Sequence, residues 1–302
     1  MTSRIKNFVD LTRLHFAPVW PLLFCSGAML GFEATGRFSW LSLLHVALIG
    51  FLGGTGGIVL NDYVDREYDK KDIETDGLTR YWRPFGRRPI AQGQMKPSTA
   101  LLVFWIFTAL TVILIFFLPF PQSVYVLLSL CYCYLVEVFY QVKKRNQRFP
   151  FSQLLGRTDF TLFPAAGFMA VAGPAPLAFI YMLVFYPLAQ VHLGVNDLAD
   201  VSNDEARGMK SIPLLYGNRG TAWWIVLFSV AHISLIWLMV NQLQEWAAFV
   251  VLVPLCLLAT ACIVILSAPV PKRSLRMLPL IHATIALEAV IIIVSAAQGI
   301  AA

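Results

Sequence analysis

Two short stretches of the chain carry the residues best suited to chemistry, and they share one spacing. NDYVDREYD covers residues 61–69 and NDLADVSND covers residues 196–204, and both read N-D-x-x-D-x-x-x-D. Residues four apart in a helix lie on one face. The residues that share a face in this way are Asn61, Asp65 and Asp69 in the first stretch, and Asn196, Asp200 and Asp204 in the second. Such rows of carboxylate and amide oxygens suit hard divalent cations, and Mg²⁺ often completes its coordination with substrate phosphates.

The repetition of the acidic pattern carries more information than either copy alone. A single cluster is equally well explained as a solvated helix end at a membrane surface. Two copies at the ends of two apolar runs, with identical spacing, favour opposed faces that hold two metal ions around a diphosphate. The duplication also predicts an internal pseudo-repeat that pairs the second and sixth apolar segments.

Basic residues follow each acidic stretch, as a diphosphate site requires, because Lys and Arg bind phosphate through charge-assisted hydrogen bonds. The first loop contains YWRPFGRRPIAQG with Arg83, Arg87 and Arg88, and the second contains ARGMKSIP with Arg207 and Lys210. A third basic run, YQVKKRNQR, follows the fourth apolar segment. Together they predict a basic rim around an acidic, metal-binding centre.

The composition indicates which elements position these residues. The 302 residues are 58% hydrophobic and 13% charged, with a mean hydropathy of +0.69, whereas a soluble domain carries roughly 25% charged residues. Apolar runs of about 20 residues recur along the chain, and each is long enough to cross a bilayer. We predict an all-α, multi-pass protein of the cell membrane with about nine spans, near residues 15–35, 40–61, 99–119, 122–140, 153–173, 175–196, 221–241, 246–267 and 277–299. Residues 4–14 are expected to form an amphipathic helix at the membrane surface.

The distribution of positive charge predicts the orientation in the membrane. Every Lys and Arg except Arg37 and Arg157 lies in the N-terminal segment or in residues 62–98, 141–152, 197–220 and 268–276, all on one side of the predicted spans. Cytoplasmic loops carry the excess of Lys and Arg. We therefore expect a cytoplasmic N-terminus, and a cytoplasmic active site carried by the loops 62–98 and 197–220.

Taken together, these motifs resemble the UbiA superfamily of intramembrane prenyltransferases. The first acidic stretch followed by RRPIAQG is similar to the family's N-D-x-x-D-x-x-x-D and R-P-x-x-x-G, and DVSNDEARGMKS is similar to its second D-x-x-x-D and G-x-K-S/T. LTRLHFAP and YQVKKR resemble the family's first-helix Arg and Pro and its Tyr and Lys-Arg after the fourth helix. The likeness covers nearly the whole chain, so residues 1–302 are expected to form one transmembrane domain around a central cavity.

The resemblance also implies roles for particular residues. It implies a metal-binding and catalytic set of Asn61, Asp65, Asp69, Asp200 and Asp204, with Mg²⁺ as the cofactor. Arg88 and Lys210, with Lys144, would hold the diphosphate, and Asn196 and Asp197 are further substrate-binding candidates. The implied reaction moves an isoprenoid chain from a prenyl diphosphate, such as geranyl or longer, to a lipophilic acceptor. No nucleic acid and no protein partner are implied, and the lipid bilayer is the surrounding medium.

The acceptor is the open question. An aromatic ring in lipoquinone biosynthesis is the first expectation, and a prenylglyceryl phosphate in ether-lipid biosynthesis is the alternative. A UbiA-type terpene cyclase and a membrane transporter are further alternatives. Arg157 could bind an acceptor's carboxylate or phosphate, since a charged residue in a span suggests function, or it could neutralise a neighbouring acid. His192 is predicted to point toward the site or to be a hydrogen-bonded core residue, and Asp159, Glu137 and Glu288 are left without a role.

Overall fold

The computed structural model describes residues 2–75 and 77–302, and all regular structure in these residues is helical. Residue 1, and residue 76 in the predicted loop 62–98, lie outside this description. In chain order the helices are α1 (Ser3–Thr12), α2 (Val19–Thr35), α3 (Trp40–Asp69), α4 (Leu78–Trp82), α5 (Pro97–Phe116), α6 (Gln122–Lys143), α7 (Phe151–Gly156), α8 (Thr158–Ala172), α9 (Pro176–Ala199), α10 (Val201–Arg207), α11 (Ile212–Val240), α12 (Ala247–Val250), α13 (Leu252–Ser267) and α14 (Pro271–Ala301).

The multi-pass architecture predicted from the sequence is confirmed, although the count of nine spans is not. In the described residues, seven helical segments are long and apolar enough to cross a membrane: α3, α5, α6, α9, α11, α14 and the nearly continuous pair α12 and α13. Helix α2 is apolar but only 17 residues long. The predicted span 153–173 is two helices, because the chain leaves helical geometry at Arg157, between α7 and α8.

The two acidic stretches differ in backbone conformation. The first remains helical to its end, so residues 62–69 extend α3, as its four-residue spacing predicts. The second is divided at Asp200, where φ is −104° and ψ is 9°, between the end of α9 and the start of α10. The sequence pattern is repeated, but only the first copy lies on one continuous helix.

Helices α2 and α8 cross at a seam of small residues. A Cβ atom on Gly27 of α2 would overlap the carbonyl oxygen of Pro164, and one on Gly167 of α8 would overlap the carbonyl oxygen of Phe24. Inside a membrane the hydrophobic effect does not drive helices together, and small residues let their backbones approach closely enough for van der Waals packing. The seam brings the aromatic residues of α2 and α8 to one side of the interior.

The N-terminal helix holds the loop between α3 and α5 against the bundle. Asp10 of α1 accepts hydrogen bonds from the backbone N–H groups of Phe85 and Arg87, at 3.0 and 2.9 Å. Arg13, just after α1, and Arg83 both pair with Asp62 of α3, at 2.8 and 2.7 Å. These contacts fix the loop that carries Arg88 over the end of α3.

Candidate active site

A cavity of about 290 Å³ lies between the helices and follows one face of α3. Every fourth residue of that face lines it, namely Ile49, Gly53, Gly57, Asn61, Asp65 and Asp69. Twenty residues of helix rise about 30 Å, so the cavity extends over most of a membrane thickness. It passes from an apolar end at Ile49 to an acidic end at Asp69.

The apolar end is walled by large hydrophobic and aromatic side chains. Phe24, Ile115, Val126 and Phe163 line it. Trp20 packs edge-on against Phe163, with ring centroids 5.4 Å apart. This part of the cavity can accept hydrocarbon and offers little to a polar ligand.

The acids of α3 are paired with cations at the polar end. Asp65 lies 3.2 Å from the Arg145 guanidinium and 3.9 Å from Lys144 Nζ. Asp69 lies 2.9 Å from Arg88. Arg88 and Lys144 thus reach the centre that the sequence analysis expected them to serve.

Arg207 joins the two acidic stretches. Its guanidinium lies 3.4 Å from Asp69 of α3, 3.2 Å from Asp200 and 3.5 Å from Asp204. The side chain is only 5% exposed. One arginine therefore holds together carboxylates that would otherwise repel one another.

Asp72 is a site residue that sequence reasoning missed. It lies 2.8 Å from Arg88 and 2.5 Å from Arg207, and so fixes both guanidinium groups. It lies three residues beyond the end of α3 at Asp69, outside the helix, so helical spacing does not predict its position and its role depends on tertiary contacts.

Some guanidinium N–H groups at this end are buried without a well-directed hydrogen bond. Arg88 Nε lies 2.8 Å from Asp72 and Arg207 Nη2 lies 3.4 Å from Asp69, both as ion pairs outside hydrogen-bond geometry, and Arg145 Nε has no hydrogen-bond partner among the described residues. Buried donors without partners are costly. A phosphate or diphosphate group would supply acceptor oxygens for them.

The pKa shifts outside the spans show how strongly the charges interact. Burial lowers the pKa of Arg207, but the carboxylates of Asp200 and Asp72 outweigh it and raise the pKa above the ordinary arginine value. For Arg88 the neighbouring Asp69 likewise outweighs burial and raises the pKa. Burial raises the pKa of Asp200, even though Arg207 opposes the shift. Both arginines therefore stay charged at neutral pH, while burial and the neighbouring Asp204 oppose the ionisation of Asp200, an effect that a bound cation would offset.

The oxygen donors fit a hard cation chemically, but they do not form a ready-made cage. Among residues 2–75 and 77–302, no group of three or more His, Cys, Asp and Glu side chains is arranged to hold a metal ion. The carboxylates of Asp65, Asp69 and Asp200 turn to arginines instead. Carboxylate and amide oxygens are nevertheless the ligands that Mg²⁺ prefers, so a metal would have to draw these acids away from the arginines.

Of the remaining residues predicted from the second acidic stretch and the loop after it, one lines the cavity and the others do not. Asn196 lines the cavity and accepts a hydrogen bond from Trp82 Nε1 at 3.0 Å. Asp204 and Asp197 are buried outside the set of lining residues, and Asp197 accepts from the backbone N–H of Ile212 at 3.3 Å. Lys210 is exposed and contributes its backbone, which donates to the carbonyl of Lys144 at 2.8 Å. Arg207, and not Lys210, thus supplies the cavity with the cation of the second loop.

Arg157 faces the cavity beside Tyr140, as the sequence analysis considered. Its guanidinium carbon lies 4.9 Å from the centre of the Tyr140 ring, and Lys144 Nζ lies at the same distance from that ring. Arg157 Nε has no hydrogen-bond partner in the described part of the chain. Tyr140 therefore contacts two cations of the cavity lining, Lys144 beside Asp65 and Arg157.

The other polar residues left without a role fall into two groups. Asp159 and Glu137 line the cavity with Arg157. Glu137 accepts from Asn61 Nδ2 at 2.6 Å and from Gln141 Nε2 at 2.7 Å, which orients the amide of Asn61. Glu288, by contrast, forms a buried pair with His232 at 2.8 Å, away from the cavity.

His192 also lines the cavity, on the face of α9 that carries Asn196. Its Nε2 lies 2.9 Å from Nε2 of His282 on α14. Sequence reasoning considered His192 but missed His282, because the two are 90 residues apart and no local spacing connects them.

Residues 19–285 of the chain match the model of the UbiA prenyltransferase family. Relatives carry two different names. The chain is 26% identical to a digeranylgeranylglyceryl phosphate synthase from Thermococcus kodakarensis, over 74% of each protein. It is 29% identical to a 4-hydroxybenzoate octaprenyltransferase from Hydrogenovibrio crunogenus, over 72% of this chain and 71% of that enzyme.

The fold is similar to that of solved UbiA homologues. A homologue from Archaeoglobus fulgidus bound to DMAPP and Mg²⁺ superposes with a TM-score of 0.69, covering 95% of this chain and 99% of its own. The sequences are 16% identical, so this likeness concerns the fold alone.

Proposed function

The chain belongs to the UbiA prenyltransferase family, and on that premise we propose that it transfers an isoprenoid chain from a prenyl diphosphate to a lipophilic acceptor with the help of Mg²⁺. The observation that carries the proposal is the polarity of one cavity. Its acidic and basic end combines Asp65, Asp69 and Asp200 with Arg88 and Arg207, and its other end is hydrocarbon-like. A prenyl diphosphate has the same division into a charged head and an apolar tail.

The residues of the polar end would receive the diphosphate. Arg88, Arg145 and Arg207 offer buried N–H donors without a well-directed hydrogen bond among the described residues, and Lys144 adds a cation beside Asp65. Asn61, Asp65, Asp69, Asp200 and Asp204 are the proposed ligands of Mg²⁺, although Asp204 would have to turn toward the cavity. When bound, Mg²⁺ would supply Lewis-acid neutralisation of charge on the leaving diphosphate.

The walls of the cavity would protect the reacting carbon. Departure of the diphosphate leaves positive charge on the allylic carbon, and aromatic faces stabilise cations while apolar walls exclude water. Trp20 and Phe160 line the cavity beyond the acids, with ring centroids 5.9 Å apart. They support a role in shielding this carbon.

We propose that Arg157 binds an anionic group of the acceptor. Its position in the cavity lining beside Tyr140, with a buried Nε that has no hydrogen-bond partner among the described residues, supports this role. A benzoate carboxylate would meet that requirement, which favours an aromatic acceptor in lipoquinone biosynthesis. Relatives named 4-hydroxybenzoate octaprenyltransferase agree with such an acceptor.

A prenylglyceryl phosphate is the second candidate acceptor. Relatives named digeranylgeranylglyceryl phosphate synthase favour it, and a phosphate could pair with Arg157 as a carboxylate does. Membership of a transferase family leaves the transporter alternative without support. A cyclase would need no separate acceptor and would be recognised by its product.

The orientation and domain organisation are proposals as well. The bias of Lys and Arg toward the segments around the acidic end supports a cytoplasmic active site and a cytoplasmic N-terminus. Residues 1–302 would act as one domain, with the motifs at the borders of the segments 62–98 and 197–220.

The decisive experiment is a product assay with purified protein. The protein is incubated with Mg²⁺, geranyl diphosphate and either 4-hydroxybenzoate or geranylgeranylglyceryl phosphate, and products are identified by mass. We expect a prenylated adduct with one of the two. A cyclised hydrocarbon formed without acceptor would replace the transferase with a cyclase, and an absence of any Mg²⁺-dependent product would refute the proposal.

A further inference from the structure

Three side chains from three helices form a continuous hydrogen-bonded chain that ends at the cavity. The hydroxyl of Tyr81 on α4 lies 2.6 Å from Nδ1 of His282 on α14. Nε2 of His282 lies 2.9 Å from Nε2 of His192 on α9. His192 and His282 belong to neither the acidic nor the basic motifs, and Tyr81 is the first residue of the basic stretch YWRPFGRRPIAQG.

The hydrogen-bonded chain can hold its protons in two arrangements, because each nitrogen of a neutral imidazole is either a donor or an acceptor. In one arrangement Tyr81 donates to His282, His282 donates to His192, and His192 carries its proton on Nδ1. In the other arrangement both bonds are reversed, and His192 Nδ1 presents a lone pair. Moving one proton along the chain converts one arrangement into the other.

The hydrogen-bonded chain of Tyr81, His282 and His192 ends at the cavity in a nitrogen atom that is available to a ligand. His192 Nδ1 is buried and has no hydrogen-bond partner among the described residues. The rings of Trp82 and Phe160 both pack against His192, each with its centroid 6.0 Å from that of the imidazole. The imidazole is therefore held in place while one nitrogen is left for a ligand.

The other end of the hydrogen-bonded chain, at Tyr81, is suited to passing on a proton. Tyr81 is half-buried, in the loop region at the polar end, and burial raises the pKa of its hydroxyl to about 12. The hydroxyl therefore stays protonated at neutral pH and can donate and accept in turn. Its position beside the first loop gives a released proton a route toward water.

We propose that His192 is the base that takes the acceptor's proton during prenyl transfer, with His282 and Tyr81 as positioning residues that set its tautomer and carry the proton away. This inference rests on the proposed prenyl transfer and assigns the proton that such a transfer must release. The carboxylates Asp65, Asp69 and Asp200 are committed to cations, and Glu137 already accepts two hydrogen bonds through one oxygen. His192 Nδ1 carries no such commitment.

The step balances in atoms and electrons. The bond between prenyl C1 and the diphosphate oxygen breaks, and its electron pair leaves with the diphosphate. A ring carbon or a hydroxyl oxygen of the acceptor supplies the pair for the new bond to C1. The hydrogen on that atom leaves as a proton to His192 Nδ1, and one proton moves from His192 to His282 and from His282 to Tyr81, whose hydroxyl proton passes to water.

The test compares His192→Gln with Tyr81→Phe in the full-length protein, with Mg²⁺, geranyl diphosphate and the two acceptors named above. Loss of a general base lowers kcat about 100-fold, so we expect that loss for His192→Gln with little change in the acceptor KM or in geranyl diphosphate affinity. Tyr81→Phe removes one oxygen and should lower kcat about 10-fold. Added imidazole should restore part of the activity of His192→Ala. With 4-hydroxybenzoate deuterated on its ring, a kinetic isotope effect should appear in His192→Gln and be smaller in the wild type.

Two matched variants separate a base from a structural histidine. His45 on α3 bonds the carbonyl of Leu114 at 2.8 Å, so His45→Gln is a histidine change outside the cavity lining and should retain activity. Asp159→Asn tests the nearest rival base. Wild-type turnover in His192→Gln, or loss in Asp159→Asn alone, overturns the assignment. If His192→Gln fails to fold, an unchanged kcat in Tyr81→Phe overturns the relay. If the wild type transfers to neither acceptor, the proposed function fails and takes this inference with it, whereas a fully active His192→Gln refutes the base alone.

Discussion

Replacing Arg207 with Gln should destabilise the protein in a way that Mg²⁺ reverses. Arg207 is almost fully buried and contacts four carboxylates, those of Asp69, Asp72, Asp200 and Asp204. After the substitution Asp69 and Asp72 keep Arg88, whereas the other two lose their ion pair with Arg207. The arginine therefore acts as a stand-in cation between the two acidic stretches.

The size of the effect follows from the burial of these charges. Removing one partner of a buried ion pair costs about 3–5 kcal/mol, because the remaining charge is left uncompensated. At roughly 2 °C per kcal/mol for a chain of this size, the Tm should fall by about 6–10 °C. Mg²⁺ can replace the missing charge without displacing an arginine, so it should raise the Tm of Arg207→Gln more than that of the wild type.

The assay is thermal unfolding in detergent, with and without Mg²⁺, followed by a change in fluorescence or by loss of soluble protein. Arg148→Gln is the matched control, since Arg148 is exposed and surface substitutions usually change stability by less than about 0.5 kcal/mol. An Arg207→Gln protein with the Tm of the wild type, or with the same response to Mg²⁺, would show that Arg207 does not hold the acids together.

Three further outcomes test the active site. Chelation by EDTA should abolish prenyl transfer and added Mg²⁺ should restore it, as measured by product mass; full activity in chelator would exclude the metal. Asp65→Ala and Asp200→Ala should each lower kcat at least about 100-fold, because each removes charge stabilisation at the leaving group. Near wild-type turnover in either variant would show that its acidic stretch is only a solvated helix end. Arg157→Gln should raise the acceptor KM with kcat little changed, the signature of lost uniform binding, while geranyl diphosphate affinity, measured separately, stays the same. An unchanged acceptor KM would remove Arg157 from the acceptor site.

The acidic stretches illustrate what sequence spacing can predict. The spacing of four placed Asn61, Asp65 and Asp69 on one face, and they line one cavity in the structure. The resemblance to the UbiA superfamily, and not helical spacing, selected Lys210 from the second loop, and the structure leaves its side chain exposed. Gly208 has a φ of +73° and turns the chain out of α10, so helical spacing from Asp204 extends to Arg207 and no further.

The features that the sequence did not predict depend on tertiary contacts. The predicted span 153–173 is divided at Arg157, and apolar composition alone does not reveal such a break. His192 and His282 come from helices far apart in the chain, and each resembles a lone core histidine in its own segment. The role of Glu137 depends likewise on Asn61, 76 residues away.

The seam between α2 and α8 has a consequence for attempts to engineer substrate range. Both helices supply cavity walls, and their separation is set at Gly27 and Gly167 by backbone touching backbone. A larger residue at either position would push apart α2 and α8, which carry Trp20 and Phe160. Any broadening of substrate specificity obtained in this way would therefore lower the stability of the protein. Gly53 of α3 leaves ordinary van der Waals room for a Cβ, with its nearest neighbours at 3.5 Å, and a Cβ on Gly57 would meet Tyr134 at 3.7 Å. Variation in the length of the accepted prenyl chain is therefore best sought at these two positions, where the cavity can be reshaped one methyl group at a time.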